Sequence, residues 1–250
     1  MHPRPLRCAR RRSCAGDALS LPSALGQAGA EIVARTILRY RHAGQFGHRY
    51  VAGKLHHDPA TAALLALAAA EDFGDVVDLG CGRGQFGTLL LESAHARSVI
   101  GLDCKAEHLA QARAATQGLE FETRLQDFSI CRDVPAADTI LLIDVLYQLD
   151  TPAQIQLLKN AAHAARRTLI IRTADPATGA RSLLTQALET MFRAVWPHAG
   201  AQVNARPVQE IAAELRTLGF TPTVEPCWAG TPFSNVLLVG RRDCATAKAG

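Results

Sequence analysis

The sequence predicts an α/β fold: a doubly wound, mostly parallel sheet of seven strands that ends in an antiparallel hairpin strand. Three observations carry this. From Asp75 onward, short apolar runs alternate with segments of helical apolar spacing, the pattern of strand and crossover helix that builds a parallel sheet. One run, Asp138-Thr-Ile-Leu-Leu-Ile-Asp144, is almost continuously apolar, as a central strand covered on both faces must be. The chain closes with two strand-like runs, 220–227 and 234–241, joined so briefly around Gly230 to Pro232 that they must run antiparallel.

At 250 residues and 48% hydrophobic content, the chain can bury one sizeable core, and nothing calls for a second domain. The +4 net charge is concentrated in Arg4, Arg7, Arg10, Arg11 and Arg12, which leaves a near-neutral body. That argues against nucleic acid as partner, because such binding needs a basic face on the folded domain. Residues 1–26 lack apolar periodicity and are expected to be a disordered basic leader, with residues 27–250 as the single domain. No apolar stretch and cleavage site follow the arginines, so they are not a secretory signal; an organellar transit peptide stays open. The longest apolar run, Ala60 to Ala70, is too short to span a bilayer. Seven cysteines, odd in number and without a C-x-x-C, fit reduced thiols in a cytoplasm.

In chain order, Ile32, Val33, Ile37 and Leu38 recur with helical spacing between Gln27 and Tyr40. Next comes Gln45-Phe-Gly-His-Arg-Tyr-Val-Ala-Gly-Lys-Leu-His-His-Asp-Pro59, denser in aromatic, basic and imidazole groups than a plain connection needs. His56 and His57 are adjacent, so on a helix they point apart and at most one serves a site. Asp58 as N-cap and Pro59 at the first position start a helix to Ala70.

Asp75-Val-Val-Asp-Leu-Gly-Cys-Gly-Arg-Gly-Gln-Phe-Gly87 then reads as strand, tight loop and helix. Gly80, Gly82 and Gly84 let backbone approach a ligand, and the helix offers unsatisfied N–H groups. Gly82-Arg-Gly84-Gln-Phe-Gly87 also fits the dinucleotide pattern G-x-G-x-x-G. Asp78 weighs against that alternative: a carboxylate at the strand end repels a pyrophosphate and attracts a cationic ligand. Val-Asp-Leu-Gly-Cys-Gly-Arg-Gly resembles the first motif of class I S-adenosylmethionine-dependent methyltransferases, with Asp78, Gly80, Cys81, Gly82 and Gly84 as cofactor contacts.

The resemblance extends over about 73–242 and implies S-adenosylmethionine as cofactor. It implies that the segment before the first strand, 27–70, folds over the cofactor as a lid, with Phe46, Tyr50 and Lys54 as contributors. The second strand, from Ser98, ends in Asp103, where an acid accepts from ribose hydroxyls in nicotinamide and adenosylmethionine sites alike. A helix from Ala106 to Thr116 and a strand from Leu119 to Leu125 lead to Asp127, at the place where family members carry an acid near the adenine amino group. Phe128 packs on the adenine face or fills the core; the sequence does not separate the two.

The fourth strand closes on Asp144-Val-Leu-Tyr-Gln-Leu149, which resembles the corresponding loop of small-molecule methyltransferases. It lacks the Asn/Asp-Pro-Pro-aromatic tetrapeptide used for amino groups on bases and glutamine. Thr151-Pro152 caps a helix to Ala165, and Arg167 to Thr173 makes the fifth strand. An insertion at 174–206 is expected as the substrate roof, with Trp196 and His198 its most suggestive residues. A last helix, Pro207 to Leu218, stops at Gly219. No internal repeat and no convincing metal-ligand spacing are present.

Methyl transfer from a sulfonium needs alignment above all, and a general base only for a poorly ionised acceptor. Asp144, Tyr147 and one of His56, His57 or His198 are the candidates, His57 foremost. The expected function is methyl transfer to a small, hydrophobic or aromatic acceptor, with no nucleic-acid or membrane partner. A nucleic-acid methyltransferase, an NAD-dependent oxidoreductase and a binding protein without turnover are the alternatives. Oligomeric state is not legible.

Overall fold

The computed structural model describes residues 21–177, 204–231 and 233–243. The chain enters through α1 (Leu21–Arg39), a 3-10 turn (Tyr40–His42), α2 (Gly44–His57) and α3 (Pro59–Ala70). It continues as β1 (Asp75–Leu79), α4 (Gln85–Glu92), β2 (Ser98–Asp103), α5 (Ala106–Ala115), β3 (Phe121–Leu125) and β4 (Ala137–Ile143). A second 3-10 turn (Leu146–Gln148), α6 (Thr151–Ala164) and β5 (Ala165–Ala174) follow, then α7 (Val208–Thr217), β6 (Phe220–Pro226) and β7 (Asn235–Arg242).

The seven strands form one sheet in the order β3-β2-β1-β4-β5-β7-β6. β1 pairs in parallel with both β2 and β4, and β4 with β5, while β7 runs antiparallel to β5 and β6. Chain direction across the sheet therefore reverses between β1 and β4, which opens a crevice at the C-terminal ends of these strands, where such sheets bind ligands.

Both faces are buried, which is why the central strands read as nearly continuous apolar runs. Leu141 and Ile143 of β4 join a core with α1 to α4 (Val33, Leu55, Leu64, Phe86, Leu90). The alternate residues Ile140 and Leu142 join a second core with α6 and α7 (Leu157, Leu158, Ile211, Leu215). The edges differ in kind. β3 is only partly covered, and β6 carries Pro222 and Pro226, residues tolerated where no further strand must pair.

The Asp58 N-cap stands as the sequence implies, its Oδ1 accepting from Ala60 N at 2.9 Å. Gly219 ends α7 with φ 82°. Three local expectations are adjusted. Helical backbone already begins at Leu21, although Gly26 (φ 63°, ψ 176°) breaks it, so the regular helix starts past that residue. The N-cap of α6 is Asp150, which accepts from Ala153 N at 2.8 Å, and Thr151 is its first helical residue. The aromatic and basic stretch is helical from Gln45 to His57: with Gly47, Val51 and Leu55 buried on one side, it has an apolar stripe to set against the body. Of the insertion at 174–206, residues 178–203, including Trp196 and His198, lie outside the described residues, as does the leader before residue 21. Asn204 closes that segment against the β4 loop: its N–H donates to Tyr147 O at 2.7 Å and its Nδ2 to Leu149 O at 3.1 Å.

Candidate cofactor site

The glycine loop sits where β1 ends. Gly80 N and Cys81 N both donate to Leu102 O, at 2.7 and 2.9 Å, which ties the loop to β2. Gly80 has φ 73°, and a Cβ there would meet Val145 Cγ2 at 2.4 Å, so only glycine serves. Gly82 also lies in the left-handed region (φ 57°), but a Cβ would meet nothing closer than 3.9 Å; its side-chain space opens into a cavity. That cavity measures about 210 Å³ and is lined by Asp78, Gly80, Cys81, Gly82, Gln85, Phe86, Asp103 and Asp144, with Tyr50 and Lys54 of α2 over it. Larger grooves of about 510 and 470 Å³ lie elsewhere on the surface, and neither includes the strand-end acids.

Three acids reach the site from the ends of three adjacent strands. Asp78 is 2% exposed. One backbone amide, that of Gly87, faces its carboxylate, and its Oδ2 has no hydrogen-bond partner among the described residues. Burial, with the neighbouring Asp103 carboxylate, pushes its pKa up to about 7. Asp103 is held by the loop: Oδ2 accepts from Gly82 N at 2.9 Å and Oδ1 from Lys105 N at 2.8 Å. His108 approaches Asp103 at 3.9 Å, and burial, with the Arg83 charge, draws its pKa down.

Asp144 has φ 62°, rare for a side-chain-bearing residue. Its carboxylate lies between two cations, with Lys54 Nζ 3.1 Å from Oδ2 and Arg172 Nε 3.2 Å from Oδ1. Arg172 also pairs with Asp58, whose other oxygen is 2.6 Å from Lys54 Nζ. Burial works against the charge of Lys54, but Asp144 and Asp58 outweigh it and its pKa is raised. Asp58 is likewise held below its ordinary value: burial raises it, and Arg172 and Lys54 more than reverse this.

At its other end α2 meets Arg83 of the glycine loop. The guanidinium lies 4.5 Å from the Tyr50 ring centre and 5.7 Å from that of Phe46, and its Nε donates to Gln111 Oε1 at 2.7 Å. Tyr40, fully buried, donates from its hydroxyl to Arg83 O at 2.8 Å and sits 2.9 Å from Thr88 Oγ1. The glycine loop, α2, α4 and α5 thus share one set of contacts through Arg83 and Tyr40.

The structure brings together Asp78, Gly80, Cys81, Gly82, Asp103, Asp144, Tyr50 and Lys54 around the cavity. Gly84 stands just behind it as the N-cap of α4. Asp127, Phe128, Tyr147 and His57 do not line it. Asp127 is turned onto Ser129, accepting from its N and Oγ at 2.8 and 2.6 Å. Phe128 belongs to the core beside Leu79 and Leu102. Tyr147 is half-buried in the β4 loop, and His57 is exposed at the end of α2 beside His56. Sequence reasoning missed Gln85, Phe86, Lys105, His108 and Gln148 as lining residues. Gln85 and Phe86 had a signal: they open the helix that follows the loop. Arg172 had one too, being a charge inside a strand buried on both faces, which needs a partner.

Among the described residues, no group of three or more His, Cys, Asp or Glu could hold a metal ion. No helix among them is long and apolar enough to cross a membrane.

Comparison with known proteins agrees with this geometry. Residues 76–168 match a family model described as a methyltransferase domain. Trans-aconitate 2-methyltransferase of Azoarcus sp. (strain BH72) is 43% identical over 58 residues, which are 23% of this chain and 23% of that protein; the match thus spans about a quarter of the curated relative. Among solved structures, magnesium protoporphyrin IX methyltransferase of Synechocystis PCC 6803, with bound SAH, superposes with TM-score 0.57 at 19% identity, covering 88% of this chain and 97% of that one. An O-methyltransferase family protein from Burkholderia thailandensis gives TM-score 0.58 at 18% identity, covering 81% and 62%. At such identities the likeness is one of fold, and the matched family residues hold the glycine loop and the strands that present Asp78 and Asp103. Residues 76–168 thus carry a methyltransferase domain, set in the fold that the methyltransferase neighbours share.

Proposed function

We propose that the protein transfers a methyl group from S-adenosylmethionine to a small-molecule acceptor. The observation that carries the donor is the set of unpartnered acceptors in the cavity. Asp78 Oδ2 and Gln85 Oε1 are buried, line the cavity and have no hydrogen-bond partner among the described residues. Buried acceptors left open this way call for a donor-rich, cationic ligand. A pyrophosphate would meet two carboxylates and an amide oxygen instead, which disfavours the nicotinamide alternative.

When bound, S-adenosylmethionine supplies a methyl group on a sulfonium, a leaving group that needs no protonation. The chain's part is to bind and orient. In this reading Asp78 receives the ammonium of the donor's amino-acid end and Lys54, in the same cavity, its carboxylate. Asp103 accepts from the ribose hydroxyls. Tyr50, stacked on Arg83, shields the loop from water. Gly80, Cys81, Gly82 and Gly84 let the backbone come close, while Asp127, at the β3 end, is the acid proposed for the adenine amino group.

Tyr147 and His57 remain the proposed proton acceptors for a poorly ionised nucleophile. Asp144 fits a holding role better than a basic one, because a proton taken there would break its pairing with Lys54 and Arg172. For the acceptor, support comes from the apolar Val-Leu-Tyr-Gln-Leu loop after Asp144 and the exposed aromatics Phe46 and Tyr50, together with relatives that act on small molecules, such as trans-aconitate. A hydrophobic or aromatic acceptor at the 174–206 roof, without nucleic acid or membrane, is the reading we prefer.

The test is transfer of a labelled methyl group to a panel of small phenols, carboxylic acids and amines, with RNA and DNA alongside. Label on a small acceptor alone supports the proposal; label on nucleic acid alone would replace it.

A further inference from the structure

Lys54, Asp58, Asp144 and Arg172 close a ring of alternating charge. Lys54 Nζ lies 2.6 Å from Asp58 and 3.1 Å from Asp144, Arg172 Nε is 3.2 Å from Asp144, and Arg172 Nη1 pairs with Asp58. The ring joins α2, the cap of α3, the end of β4 and the middle of the sheet in β5. Two members, Lys54 and Asp144, line the cavity; Asp58 and Arg172 do not. Those two are 8% and 5% exposed, so they cannot serve as surface ion pairs that water would replace.

An ammonium has three N–H donors. Asp58 and Asp144 account for two, and their positions on either side of Lys54 fix where the third can point. Beside the ring, backbone contacts hold Asp144 in its left-handed conformation: its N–H donates to Arg172 O at 3.1 Å, and its carbonyl accepts from the Gln148 side chain. A flexible lysine on a lid helix would otherwise spread its charge over many rotamers, at an entropic expense to any ligand that orders it.

We propose that Asp58 and Arg172 are positioning residues for ligand recognition: from outside the cavity they hold Lys54 as a fixed cation that reads the carboxylate of the ligand's amino-acid end. This rests on the donor assignment above. It predicts discrimination, because a nucleoside without the amino-acid end would gain nothing from the ring.

The experiment compares dissociation constants for S-adenosylhomocysteine and for methylthioadenosine, which lacks that end, in the wild type, Asp58→Asn, Arg172→Lys, Lys54→Met and the double variant Asp58→Asn with Lys54→Met. Asparagine retains the N-cap and lysine retains the charge, so each has a route to a folded protein, checked by thermal melting. One charge-assisted contact corresponds to roughly a tenfold or greater change in affinity. The expected result is such a loss for S-adenosylhomocysteine in all three single variants, with methylthioadenosine within about twofold, and no further loss when Asp58→Asn is added to Lys54→Met. Equal losses for both ligands, an unchanged ratio, or a further loss in the double variant would overturn the positioning role. Failure of the wild type to bind S-adenosylhomocysteine would instead overturn the donor assignment, and the inference with it.

Discussion

Asp78 is the residue at which binding and stability oppose each other. In the folded protein its carboxyl titrates near 7, whereas an unfolded aspartate titrates near 4. Between about pH 4 and pH 7 the folded protein therefore holds a proton that the unfolded chain has lost, and stability falls as pH rises through that window. The span corresponds to a destabilisation on the order of 4 kcal/mol above pH 7. Asp78→Asn should recover much of it at pH 8 and little at pH 4, as read from urea unfolding at the two pH values, while abolishing binding of a cationic ligand. A variant that is no more stable at pH 8 would show that the wild-type carboxylate is already compensated. In the proposed donor assignment the ligand's ammonium stands in for the lost proton, so affinity should weaken as pH falls below 7. Two residues on, Gly80→Ala would drive a Cβ to within 2.4 Å of Val145 Cγ2 at a φ of 73°. We expect a loss of roughly 2 kcal/mol or more by the same unfolding measurement. Both residues were legible in the sequence, because glycine and a strand-end acid have few other reasons to stand together. Phe128 was not: an aromatic after a strand suits a core and a ligand face equally, and only three-dimensional packing places it beside Leu79 and Leu102.

Among the elements, α2 and α3 show what a sequence can and cannot say about a lid. The Asp-Pro start of α3 was plain from capping chemistry alone. That α2 is a helix was hidden by Gly44, Gly47 and Gly53, which lower helix propensity; tertiary packing of Val51 and Leu55 overrides this. Asp58 illustrates how one side chain takes on two duties that local reasoning sees as one. Asp150 caps α6 from an exposed position, and Asp150→Ala should remove about 1 kcal/mol. Asp58→Ala removes a cap and also leaves two buried cations, Lys54 and Arg172, to share Asp144, for which roughly 3–5 kcal/mol is expected. Chemical unfolding of the two variants tests this: nearly equal losses would mean that the buried ring contributes nothing beyond the cap. The charge in β5 was visible as Arg172 among apolar neighbours, but its partners come from α3 and β4, far away in sequence, and no periodicity links them.

For the whole molecule, the mostly parallel sense of the sheet and its antiparallel end follow from the alternating runs and the terminal hairpin, both short-range features, so they could be read before the sheet was seen; the strand order could not. The reversal between β1 and β4 puts the Asp78, Asp103 and Asp144 strand ends side by side, and Tyr50 and Lys54 reach them from α2, a helix that precedes the sheet in the chain. A near-neutral body was equally legible from composition, but the pairing of its charges was not: four of them are committed to one ring that ties α2 to β4 and β5. Because a ligand that binds only the folded state stabilises it, S-adenosylhomocysteine at about a hundredfold its dissociation constant should add roughly 2.7 kcal/mol, visible as a rise in melting temperature that NAD does not produce. The decisive measurement is a calorimetric titration of the protein with S-adenosylhomocysteine and with NAD, repeated on Asp78→Asn. One-site binding of the first, none of the second, and loss of the first in the variant are the expected results; binding of NAD, with S-adenosylhomocysteine inert, would contradict the reading of the glycine loop from which everything else is built.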